Sequence, residues 1–298
     1  MAASPITIVL VHSPFLGPAS LRPLADALAA HGRDLLAGPD IDVVLLDLRP
    51  SVVSAPVHQV LVGAFADAMS ERASESSDTG RPRAASPSLR GDVGSERASE
   101  SSDTGRPRAA SPSLRGDIGS ELASETWPTG PVVLVGHSGA GPLLPAFADA
   151  LEDTVTGLVF VDAGLPTPGR TWRDTVPAEL YTQLKSASRE GRLPRWQRWF
   201  DPDPLVELVA DEELRAQIAD EAPEVPVAFL KEPRPDVEWS GPAGYVALSE
   251  PYAEDVAGAE ALGWPVRRLD SHHLAPATDP DPVAVAVLEV LGELLRAG

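Results

Sequence analysis

A serine stands at the end of an apolar run in Val132-Val-Leu-Val-Gly136-His137-Ser138-Gly139-Ala140-Gly141. The run has strand length, the turn holds small residues, and helical spacing follows. A backbone that folds back so tightly leaves no room for large neighbours. A hydroxyl at such an apex stands clear of the sheet, beside N–H groups that can stabilise an oxyanion. The pattern offers a nucleophile, Ser138, and a donor, the Gly139 N–H. A serine needs a base to become a nucleophile. The chain has six histidines: His12, His31, His58, His137, His272 and His273. His12, His31, His58 and His137 show no metal-ligand spacing. With zero Cys there are no disulfides, thiolate metal sites or cysteine nucleophiles. No metal site is expected. The runs Asp201-Pro-Asp203-Pro and Asp279-Pro-Asp281-Pro read as turn and helix-start punctuation.

Positioning such a serine takes a parallel sheet, and the chain alternates accordingly. Apolar runs of strand length lie at Ile6–Val11, Val43–Leu48, Pro131–Val135 and Leu158–Val161, and again at Val225–Leu230, Tyr245–Leu248 and Val266–Leu269. Helical spacing falls at Leu21–Ala30, Val57–Met69, Gly141–Leu151, Glu254–Leu262 and Val283–Leu295. Continuous apolar strands separated by helices predict an α/β fold whose sheet is covered on both faces. Between 166 and 223 the pattern turns helical, with Trp172, Trp196, Trp199 and Phe200. These aromatics either face a pocket or anchor this segment to the body.

An internal repeat interrupts the alternation. Residues 95–119 repeat 70–94 with one change, Val93 to Ile118, and a third copy begins at Ser120. Each unit has four basic and four acidic side chains and almost no large apolar residue. It cannot bury enough surface to offset its ordering entropy. The expected organisation is therefore a core of 1–72, 123–165 and 224–298, a disordered insertion at 73–122, and a helical cap at 166–223.

The turn around Ser138 resembles the nucleophile elbow of the α/β-hydrolase superfamily, G-x-S-x-G, with Ala140 in the last place and Gly141 behind it. The resemblance implies a mostly parallel sheet with helices on both faces and a helical cap inserted after the strand ending at Asp162. It implies the chain order Ser, acid, His. The terminal His then comes from Asp270-Ser-His272-His273-Leu274. Related sequences commonly carry a Pro seven residues past this His, and Pro280 stands seven past His273. His273 is therefore preferred, with His272 beside it. The superfamily's usual acid position falls on Tyr252. The substitutes are Asp162, ending the fourth strand, then Glu232, then the pair Glu254 and Asp255, which also suits a helix start. The loop after the first strand usually reads His-Gly-x, with x giving an oxyanion N–H. Here it reads His12-Ser13-Pro14-Phe15, and Pro14 has no N–H. Phe15 is expected to donate instead, beside Gly139. Ser13, His137, Trp196 and Trp199 are the expected substrate contacts.

Composition narrows the function. The chain has 298 residues, 44 acidic against 24 basic, and a net charge of −20. That balance argues against nucleic-acid partners and anionic lipid. No apolar run approaches a membrane span. The first residues, MAASPITIVLVHS, lack the basic segment of a secretory leader, so the chain reads as soluble and cytoplasmic. Two lysines, Lys185 and Lys231, among many arginines match the coding bias of a GC-rich bacterium. The resemblance then implies a serine hydrolase without cofactor, acting on an ester, lactone or related acyl bond of a small molecule. Two other readings stand beside it. One is a lyase on the same fold, with the Ser13 hydroxyl touching substrate. The other is a non-catalytic binder of a small ligand or partner. Deleting 73–122 is expected to leave the melting temperature and activity nearly unchanged. A fall of more than a few degrees in thermal denaturation would show that the segment packs on the body.

Overall fold

The computed structural model describes residues 5–36, 40–79 and 130–297. In chain order the elements are β1 (Ile6–Val11), α1 (Arg22–Leu35), β2 (Ile41–Leu45), α2 (Val57–Thr79), β3 (Val132–His137), α3 (Leu144–Asp149) and β4 (Val155–Val161). Then come α4 (Ala178–Ala187), α5 (Pro204–Leu208), α6 (Glu212–Glu221), β5 (Ala243–Ala247), α7 (Ala253–Ala261), β6 (Val266–Arg268), α8 (Ala275–Thr278) and α9 (Pro280–Ala297). The six strands form one sheet in the order β2-β1-β3-β4-β5-β6, and every neighbouring pair is parallel.

Alternation along each strand builds two cores, because successive side chains point to opposite faces. Ile6, Ile8 and Leu10 of β1, Val133 and Val135 of β3, and Val159 and Val161 of β4 pack against Leu24 and Leu28 of α1 and Val287 and Leu291 of α9. The other face takes Val9 and Val11, Val132 and Leu134, and Leu158 and Phe160. Those residues meet Leu61 and Phe65 of α2, Leu144 and Phe147 of α3, and Val256 of α7. A strand apolar on both faces is what a sheet covered on both sides requires.

The expected strand at Val225–Leu230 is absent; residues Val227–Lys231 form a 3-10 helix instead. Pro223, Pro226 and Pro233 bracket that run, and Pro226 has no N–H to give a central ladder. The helix expected at Gly141–Leu151 opens as a 3-10 stretch, Ser138–Leu143, and only α3 is α-helical. Pro142 and Pro145 cannot supply the N–H groups of a regular first turn. The repeat was expected to begin a disordered segment at 73, but α2 runs on to Thr79. Residues 80–122 of that segment lie outside the described residues.

Between β4 and β5 the chain makes a helical insertion containing α4, α5 and α6. A third apolar cluster joins it to the body: Leu205, Val209 and Ile218 pack on Leu16, Ala19, Leu274 and Ala277. Glu221 of α6 also accepts from the Ala19 N–H at 2.6 Å. The insertion thus rests on the loops that follow β1 and β6. Among the described residues, no helix is long and apolar enough to cross a membrane.

Candidate active site

Ser138 follows β3 directly and holds a left-handed backbone, φ 58°. That conformation is uncommon outside glycine and marks strain that the surroundings must hold in place. The surroundings are tight. A Cβ at Gly136 would meet Leu144 at 2.8 Å, and one at Gly141 would meet the Gly164 carbonyl at 2.4 Å. Ala140, where the elbow pattern has glycine, is buried without conflict.

Asp162 follows β4, also with a left-handed backbone, φ 43°. The two parallel neighbours β3 and β4 therefore deliver a serine and a carboxylate at the same edge of the sheet. The loop after β6 brings in the imidazole. His273 Nδ1–H donates to Asp162 Oδ2 at 2.7 Å, and Ser138 Oγ–H donates to His273 Nε2 at 3.0 Å. An ionised carboxylate only accepts, so it fixes which ring nitrogen carries the proton. Asp162 takes three more bonds, from Leu248 N–H (3.0 Å), Ser249 N–H (2.9 Å) and Ser249 Oγ–H (2.5 Å). Burial opposes its ionisation, but the hydrogen bond and charge of His273, with the Ser249 and Leu248 donors, outweigh burial and hold the carboxyl below the usual carboxylate range.

His137 lies beneath the imidazole, its ring stacked on His273 with centroids 4.6 Å apart. Its Nε2–H donates to the His273 carbonyl at 2.9 Å, which pins the loop. Burial, with the His273 charge adding to it, pushes the His137 imidazolium down to about 3. Tyr252 stacks on the other side of His273 at 5.2 Å and 15°. Its hydroxyl donates toward Ser138 Oγ at 3.3 Å, and burial raises its pKa above the ordinary tyrosine value.

These groups open on a cavity of about 480 Å³. Phe15, Leu143, Leu165, Trp172, Trp196 and Phe229 give it an apolar wall. Of the expected contacts, Ser138, Gly139, Phe15, Trp196 and His273 reach this wall. Trp199 does not: it packs behind Phe15, ring centroids 4.6 Å apart, and its indole N–H donates to the Pro194 carbonyl. Ser13 is not among the lining residues either; its hydroxyl accepts from the Phe15 N–H at 3.3 Å, beside Gly139. His137 acts from under His273 rather than from the wall. His272 points away, with Nδ1 accepting from Leu274 N–H and Nε2 facing the Thr278 hydroxyl.

The other candidate acids are engaged elsewhere. Glu232 accepts from the Val57 and His58 N–H groups at 2.7 Å each, capping the start of α2. A carboxylate there suits the helix dipole. Asp255 accepts from the Leu165 N–H at 2.8 Å. Sequence reasoning overlooked Ser249, which gives Asp162 two of its donors, and Arg234 on the cavity wall. Ser249 carried one signal, a hydroxyl directly after an apolar strand; Arg234 between two prolines carried none. Among the described residues no group of three His, Cys, Asp or Glu is arranged to hold a metal ion.

The fold recurs in known structures. An extracellular α/β-hydrolase from a Paenibacillus species aligns over 96% of this chain and 99% of its own, at 17% identity and a TM-score of 0.61. This chain has the α/β-hydrolase fold. A methylesterase from Arabidopsis aligns over 97% of this chain and 99% of its own, at 14% identity and a TM-score of 0.53. A pyrethroid hydrolase from Sphingobium faniae aligns over 97% and 98%, at 16% identity and a TM-score of 0.53. No protein-family profile and no curated protein matches the sequence.

Glu232→Gln separates a capping carboxylate from a catalytic one. Losing a charged acceptor for two helix N–H groups is expected to cost about 1 kcal/mol, read as a lower melting temperature with turnover retained. Lost turnover at unchanged stability would place Glu232 in the chemistry.

Proposed function

We propose that the protein is a serine hydrolase cleaving an ester, lactone or related acyl bond of a small, partly apolar molecule. The observation that carries this reading is the hydrogen-bonded line from Ser138 through His273 to Asp162, open to an apolar cavity. His273 Nε2 takes the Ser138 proton as Oγ attacks the carbonyl carbon. Asp162 holds the tautomer and stabilises the imidazolium that forms. The tetrahedral oxyanion takes the N–H groups of Phe15 and Gly139. Pro14 contributes no donor, and Phe15 is the next N–H along the loop. Its bond to the Ser13 hydroxyl, at 3.3 Å, is long and yields readily to a charged acceptor. His273 then protonates the leaving alcohol, leaving an acyl-serine. Water, deprotonated by His273, attacks that ester and frees Ser138. Tyr252 stays protonated and donates to Ser138 Oγ, so the serine's own proton is left for His273.

Esterase and hydrolase neighbours on this fold support the reading at the level of reaction class. The lyase alternative required the Ser13 hydroxyl at the substrate, whereas here that hydroxyl accepts from the Phe15 N–H. A fluorophosphonate probe is expected to label the protein, with labelling lost in Ser138→Ala. Hydrolysis of short 4-nitrophenyl esters should vanish in His273→Ala and persist in His272→Ala. A wild-type protein that resists the probe would favour a non-catalytic binder, and the reverse ranking of the histidines would overturn the assigned base.

A further inference from the structure

Arg234 is the one lysine or arginine on the cavity wall among the described residues. It is 9% exposed. Its backbone N–H donates to the Arg170 carbonyl at 2.9 Å, which ties it to the start of the helical insertion. Its guanidinium donates to the hydroxyls of Thr167 and Thr175, both of which line the same cavity. No carboxylate among the described residues pairs with it. The two acids whose charge it feels are held by other groups. Asp174 accepts from the Thr171 N–H and hydroxyl. Asp255 accepts from the Leu165 N–H, and burial pushes its carboxyl up, toward the neutral form. Burial lowers the Arg234 pKa to about 10, so the group is still charged at neutral pH.

A charge withdrawn from water is costly unless it is paired. Two hydroxyls satisfy two of the five guanidinium N–H donors and none of its charge. The rest of the wall is chiefly aromatic and aliphatic, and its one acid among the described residues, Asp255, is taken up by the Leu165 N–H rather than by the guanidinium. We propose that Arg234 anchors a carboxylate carried by the substrate itself, so that the enzyme acts on small esters bearing a free acid remote from the bond cleaved. This rests on the reading of Ser138 as nucleophile in the same cavity. A single guanidinium matches a monoanion; a phosphate dianion would leave a second charge unpaired in a chiefly apolar wall. The planar fork of arginine also fits a carboxylate edge.

The test measures kcat and KM for monomethyl adipate and monomethyl suberate against methyl hexanoate and methyl octanoate. The wild type is expected to favour the half-esters by about tenfold or more in kcat/KM, the scale of one charge-assisted hydrogen bond. Arg234→Gln should erase that preference through KM, and Arg234→Lys should keep part of it. The ratio is taken within each protein, so a partly unfolded variant does not distort it. If neither variant folds, free adipate protecting wild-type Ser138 from the fluorophosphonate, where hexanamide does not, supports the anchor; equal effects of the two overturn it. An unchanged ratio in Arg234→Gln, or no preference in the wild type, assigns Arg234 to tying Thr167 and Thr175 together and removes the anchor. Loss of probe labelling in the wild type would instead remove the hydrolase reading itself.

Discussion

Asp162 has no exposure to solvent, and a carboxylate in that position keeps its charge only when donors surround it. Four converge on it from two segments: three from Leu248 and Ser249 after β5, and one from His273 after β6. The same contacts stitch three loops at one edge of the sheet. The ring of His273 is then clamped between His137 and Tyr252, with its backbone carbonyl held from below by His137. Ser138 meets a base that cannot turn away. The strained backbone at Ser138 and at Asp162 is tolerated because β3 and β4 are packed on both faces and the turns around them have no space to relax.

The helical insertion adds the second constraint. Phe15 sits edge-on to Trp172, Trp199 and Phe229, so the loop expected to supply an oxyanion donor is fixed by the insertion's own aromatics. Edge-to-face packing of this kind adds to area burial and sets ring direction. Trp199 is thus important without touching the cavity. It holds Phe15, whose N–H is the proposed oxyanion donor in place of Pro14. Arg234 belongs to the same seam, since its partners Thr167 and Thr175 lie in the first part of the insertion.

Most of the sheet was legible because its strands are apolar on both faces, and the serine turn was legible because only small residues fit there. A carboxylate at Asp162, at the end of β4 and next to the elbow strand, was legible as a partner for the terminal histidine. The choice between it and Glu232 was not, because hydrogen-bond partners from α2 are invisible in a linear pattern. The apolar run at Val225–Leu230 misled for the opposite reason: its composition suits a strand, but its prolines forbid the ladder. Trp199 and Trp196 share a spacing and a chemistry, and only packing tells that one faces the cavity and the other the loop behind it. Ser249 and Arg234 owe their roles to contacts across many residues of chain, which sequence spacing does not encode.

The central claim is that the buried Asp162 carboxylate holds the proton of His273 on Nδ1. Proton NMR reads this directly, because such a proton is strongly deshielded and slow to exchange. The account predicts one far-downfield resonance in the wild type that disappears in Asp162→Asn and His273→Ala and survives in His272→Ala and Glu232→Gln. A resonance that survives Asp162→Asn but is lost in Glu232→Gln or His272→Ala would contradict it.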